Sequence, residues 1–149
     1  MTTDWTRQDT VEFLAGTAPF DTLPAEAREQ LASATRARPH PAGEAVLERG
    51  QTGQSLFVVA RGQVEVLLQT ADGQQSLGRL QPGEYFGEIA LMTSSRRTAT
   101  IRAISDCLVL EIPAEPLEQL FIQYPEFKQA IARTGARRSQ ESLQKMLGQ

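Results

Sequence analysis

The chain has 149 residues, 40% apolar and 22% charged, which suits one globular domain with a proper core. A net charge of −3 and a pI near 5.2 argue against gripping nucleic acid by neutralising phosphates. One cysteine, Cys107, excludes an internal disulfide and points to a reducing compartment.

Residues 6–34 read as helices. In "TRQDTVEFLAG" Val11 and Leu14 stand three apart, and Gly16 is a stop signal. "PFDTLP" is a turn with two apolar anchors, Phe20 and Leu23. In "LPAEAREQLASA" Pro24 sits near a first turn, acids Glu26 and Glu29 follow, and Ala27 and Leu31 share a face at i,i+4.

From about 35 to 112 the texture changes to short apolar runs punctuated by glycines. "SLFVVA", "QVEVLLQ", "QSLGRL", "ATIRAI" and "CLVLEI" read as strands, and "ADGQQ" is a turn in which Gly73 supplies positive φ. Many short strands with glycine turns indicate a sandwich or barrel. Cys107, inside "CLVLEI", reads as a small buried hydrophobe.

Helices return at 113. "PAEPLEQLFIQYP" places Leu117, Leu120 and Phe121 at i, i+3, i+4. Pro125 breaks or starts a helix, and the last segment carries Phe127 and Ile131, then Leu143, Met146 and Leu147. Ala132 to Ser142 has no large apolar side chain, so this helix is marginal alone and needs a partner surface. One expectation is pairing with a second copy through Ile131, Leu143 and Leu147, giving a homodimer. From Glu126 onward five basic residues face two acidic ones, which reads as a solvated helix face rather than a nucleic-acid site.

Catalytic chemistry has little to stand on, and the chain is expected not to be an enzyme and to use no metal or cofactor. Metal-dependent rolls need clustered imidazoles and carboxylates, yet the only histidine is His40, in a proline-flanked turn, "RPHPAGE". Neither GxxxxGK[ST] nor GxGxxG occurs, and one histidine leaves no room for a Ser/His/Asp set beside it.

The informative stretch is "FGEIALMTSSRRTAT", residues 86–100. Gly87 to Leu91 reads as a helical turn leaving a strand end. Gly87 permits a backbone closed to other residues, and first-turn N–H groups form an anion site. Ala90 is small enough for its amide to approach a ligand. By period two, Arg97, Ala99, Ile101 and Ala103 share one strand face, and Thr98, Thr100 and Arg102 the other. The face with Ile101 and Ala103 should look inward, so Arg97 points into the roll and demands an anion. Arg96 is solvated. Glu88 makes sense beside that anion if it accepts a hydrogen bond from a ribose 2′-hydroxyl on the same ligand. The plain alternative is an internal Glu88–Arg97 ion pair, and the residue chemistry leaves both open.

These residues resemble the phosphate-binding cassette of the cyclic nucleotide-binding domain family: FGE, two residues, a hydrophobe, a short loop, then Arg-[Ser/Thr/Ala]-Ala. "PAGEAVLERGQTGQSLFVVARGQVEV" resembles that family's first strands and "PFDTLP" its N-terminal helices, so the likeness covers most of the chain. Pro41–Ala42 departs from the aromatic or basic residues common before the Gly–Glu. The resemblance implies a mainly β fold with flanking helices: one domain, 1–149, with N-terminal helices (1–34), an eight-stranded jelly roll (35–112) with its cassette at 86–99, and C-terminal lid helices (113–149). It implies that Glu88 binds the ribose 2′-hydroxyl and Arg97 the cyclic phosphate. Amides of Gly87, Ile89, Ala90, Thr98 and Ala99 line the site, and Ser142 or Leu143 caps the base. cAMP is the favoured ligand. cGMP is the alternative, because a Thr or Ser after the arginine can contact guanine.

The expected role is a sensor that passes ligand binding through its C-terminal helices to an attached or associated effector. Rival readings are the N-terminal half of a transcription regulator whose DNA-binding part lies beyond Gln149, the cytosolic sensor of a channel, transporter or signalling enzyme, and a degenerate roll kept as an interaction or dimerisation module. No run approaches the roughly 18 apolar residues of a membrane span, and "MTTDWTRQDT" has no signal-peptide core, so a cytoplasmic location is expected.

Overall fold

The computed structural model describes residues 4–47, 55–87 and 99–134. Helix α1 (Arg7–Ala15) starts at a reciprocal cap: the Thr6 hydroxyl accepts from the Asp9 amide, and the Asp9 carboxylate accepts from the Thr6 amide. It stops at Gly16, as expected. A 3-10 turn (Phe20–Thr22) and helix α2 (Ala25–Ala34) follow. Phe20, Leu23, Ala27 and Leu31 are all buried, so the anchors read from spacing are the ones used.

Eight strands come next: β1 (Arg36–His40), β2 (Ala45–Leu47), β3 (Leu56–Arg61), β4 (Val64–Thr70), β5 (Gly73–Leu80), β6 (Tyr85–Phe86), β7 (Thr100–Ala103) and β8 (Cys107–Ile112). They form two antiparallel four-stranded sheets, in the orders β1-β8-β3-β6 and β2-β7-β4-β5. The fold is mainly β with flanking helices, the jelly roll that the resemblance implied. The β4–β5 hairpin turns through Ala71 and Asp72, and Gly73 holds φ +118°.

Period-two reading of residues alone misses three of the eight strands. β1 carries exposed Arg36 and Arg38 and contains Pro39, which a strand interior rejects. It is tolerated because β1 is a sheet edge, pairing with β8 alone among the described residues. β2 and β6 have three and two residues, too few to show a period. His40 is the last residue of β1 and not part of a turn: the strand runs through Pro39 because β8 supplies its ladder.

Two cores result. Between the sheets lie Phe57, Val59, Val64, Leu80, Phe86, Ile101, Ala103, Cys107 and Val109. On the other face of the first sheet, Leu56, Val58, Leu108, Leu110 and Ile112 pack against the helices. Helix α3 (Ala114–Gln123) adds Leu117, Leu120 and Phe121. Helical residues 125–134, here α4, add Phe127 and Ile131. Ile131 is 0% exposed within its own chain, so it is not offered to a second copy as expected. α4 finds the partner surface it needs in this fold. Leu143 and Leu147 lie outside the described residues.

Candidate functional site

The site entry is built from β6. Its two residues pair with Phe57 and Val58 of β3. The Val59 amide donates to the Glu84 carbonyl and the Gly83 amide to the Val59 carbonyl, both at 2.9 Å. Phe86 points between the sheets and stacks on Phe57, ring centroids 5.3 Å apart and planes 8° from parallel. The chain therefore reaches Gly87 from a fixed direction. Gly87 adopts φ +92°, the left-handed conformation expected there from the residue type alone.

The site exit is β7. Ile101 and Ala103 are buried at 5% and 2%, while Arg102 is exposed, so the predicted alternation holds over these three residues; Arg97 and Thr98 lie outside the described residues. Ala99 occupies a bend before Thr100 and is half-buried. β6 belongs to one sheet and β7 to the other, so the two described ends of the candidate site lie on different sheets. Of the predicted site residues the structure places Gly87 and Ala99. Glu88, Ile89, Ala90, Arg97, Thr98 and Ser142 lie outside the described residues, as does Leu143.

The interior is graded. Val64 is 0% exposed where β4 pairs with Ala103, whereas Val66, beside Ile101, is only partly buried. Val46 and Leu47 of β2 are likewise half-covered against the inter-sheet core. One end of the sandwich is filled and the end bearing Val66, Val46 and Leu47 is less so. Those three were not anticipated as wall residues. The shared parity of Val64 and Val66 in "QVEVLLQ" was the available signal. The side chains of Val66, Val46 and Leu47 pack against the inter-sheet core, so the surface they form is apolar.

His40 places Nδ1 2.6 Å from the Glu44 Oε1. Among the described residues no group of three or more His, Cys, Asp or Glu is placed to hold a metal. No described helix is long and apolar enough to cross a membrane. Cys107 is 5% exposed, with Sγ 3.1 Å from the carbonyls of Gln63 and Ser105. Burial pushes its thiol pKa up.

The family model described as the cyclic nucleotide-binding domain matches residues 37–124. A cAMP-dependent protein kinase regulatory subunit of Mycosarcoma maydis is 34% identical over 62% of this chain, and the match spans 18% of that protein. A cyclic AMP receptor protein of Thermus thermophilus is 31% identical over 87% of this chain and 60% of its own length. The solved Thermus thermophilus catabolite activator protein superposes with a TM-score of 0.71 at 29% identity, over 90% of this chain and 61% of that one. The chain thus spans less than two thirds of the length of these relatives.

Proposed function

The chain belongs to the cyclic nucleotide-binding domain family, and from that premise we propose that it is a non-catalytic cytoplasmic sensor of a cyclic mononucleotide, with cAMP the favoured ligand over cGMP. Glu88 accepts from the ribose 2′-hydroxyl and Arg97 pairs with the cyclic phosphate. Amides of Gly87, Ile89, Ala90, Thr98 and Ala99 complete the anion site, and Ser142 or Leu143 covers the base. Two relatives whose names specify cAMP support the choice of base.

The observation that carries the reading is the left-handed backbone at Gly87, fixed at the end of a clamped strand and standing at the head of the stretch that resembles the family's phosphate-binding cassette. A glycine held in that conformation redirects the chain where a tight approach to a ligand is needed. Binding favours one arrangement of the C-terminal helices and so shifts the state of an attached or associated effector.

Calorimetry with cAMP and cGMP tests the reading. Affinity for cAMP should be micromolar or better. Arg97→Ala should weaken it roughly 10–100-fold, the equivalent of charge-assisted bonds worth about 1.5–3 kcal/mol. Glu88→Ala should erode discrimination against a 2′-deoxy analogue. Unchanged binding in both variants overturns the assigned roles. No binding of either nucleotide leaves an interaction module as the better account.

A further inference from the structure

Three consecutive residues at the site entry face three different parts of the molecule. Gly87 opens the candidate site. Phe86 is stacked between the sheets on Phe57. Tyr85 points the other way, into the helix-side core, where it meets Phe20 edge-on at 6.3 Å. Its hydroxyl hydrogen-bonds the Thr134 hydroxyl of α4 at 2.6 Å. α4 is otherwise seated by Phe127 and Ile131, with Phe127 packed on Phe20 at 5.5 Å and Phe121 at 5.7 Å.

We propose that the Tyr85–Thr134 hydroxyl pair is a latch that couples the site entry to α4. The proposal rests on the nucleotide-sensor reading above and names the residues that pass the signal on. β6 is a two-residue strand at the edge of its sheet among the described residues, and only Phe86 separates Gly87 from Tyr85, so the backbone joins the site entry directly to the hydroxyl pair. Thr134 stands inside the stretch from Ala132 to Ser142 that carries no large apolar side chain. A cleft of about 270 Å³, open to solvent and lined by Pro19, Gly83, Tyr85, Ala130 and Thr134, adjoins the pair. Water entering it can satisfy both hydroxyls when they part, so opening leaves no dry unpaired group. A bond of that kind holds a state without locking it.

Amide hydrogen exchange on the full chain, free and saturated with cAMP, tests the latch in Tyr85→Phe and Thr134→Val. Tyr85→Phe keeps the ring against Phe20, so the fold has every reason to survive. In the free protein, amides of 125–134 should exchange about 2- to 10-fold faster, the worth of one hydrogen bond, with β3 and β8 unchanged. The two changes together should add nothing beyond either alone. The cAMP-induced change in α4 exchange should shrink in both variants while the wild type retains it. Unaltered α4 exchange, or equal acceleration in every element, overturns the latch, the second outcome marking a merely structural bond. Should the wild type bind no cyclic nucleotide, the sensor reading fails, and the ligand-free comparison still decides whether the latch exists.

Discussion

The two sheets of this roll are built from similar strands under different cover. In the first sheet β3 and β8 are buried on both faces, by helices on one side and the second sheet on the other. Their sequences, "LFVVAR" and "CLVLEI", are accordingly almost unbroken apolar runs. In the second sheet β5 and β7 alternate between covered and exposed positions, because one face meets solvent. The first sheet is scaffold. The second supplies a wall whose outer face is free to vary, and the candidate site enters from one and leaves by the other.

Side-chain truncation should break this comparison if it is wrong. Leu110, 0% exposed in β8, packs among the helices. Leu110→Ala should cost about 2–5 kcal/mol in urea denaturation. Arg102→Ala, on the outer face of β7, should stay within about 0.5 kcal/mol. Equal losses would mean that double cover contributes nothing.

Glycine replacement sharpens the same contrast. Gly62, in the turn leaving β3, has φ +80°, and a Cβ there would sit 2.5 Å from the Asp106 carbonyl oxygen and 3.0 Å from the Cys107 Cα. Both obstacles are backbone and cannot rotate away. Gly62→Ala should cost about 2–4 kcal/mol, strain and overpacking together. Gly73, in the hairpin of the second sheet, has φ +118° and nothing within 4 Å of its would-be Cβ. Gly73→Ala should cost only about 1–2 kcal/mol, from backbone strain alone. Thermal melts of the pair check the ranking.

What the sequence discloses follows the same division. Double cover leaves runs such as "LFVVA" that no other element would tolerate, and single cover leaves a parity such as that of Ile101 and Ala103. Both were readable without coordinates. β1 was not, because an edge strand tolerates Arg36, Arg38 and Pro39 when its ladder comes from one neighbour, here β8. The Thr6–Asp9 cap has a visible i,i+3 spacing at the head of α1. Ile131 shows a different limit: an apolar side chain on a helix declares that it will be covered, not by which surface. Gly87 was legible because its residue type and its conformation are tied by sterics. The Tyr85–Thr134 contact joins residues 49 positions apart, and no local pattern announces it.

The smallest predicted effect concerns the closed end of the sandwich. Cys107 faces inward beside Val64 and Ala103, and its thiol pKa is raised, first by burial and also by the neighbouring Asp106 carboxylate. Below the ordinary value of 9.0 both folded and unfolded chains keep the proton, so the thiol gives no pH dependence. Above it the unfolded chain releases the proton first, binding fewer protons than the native state, and stability falls as pH rises until the folded thiol also ionises. Cys107→Ala removes this slope. The stability gap between wild type and variant should therefore narrow in urea melts taken upward from pH 9.0 and stay constant below it. A constant gap at every pH would show that water reaches Cys107 in the native state. The filled end would then be no drier than the end bearing Val66, and the grading of the interior would be lost.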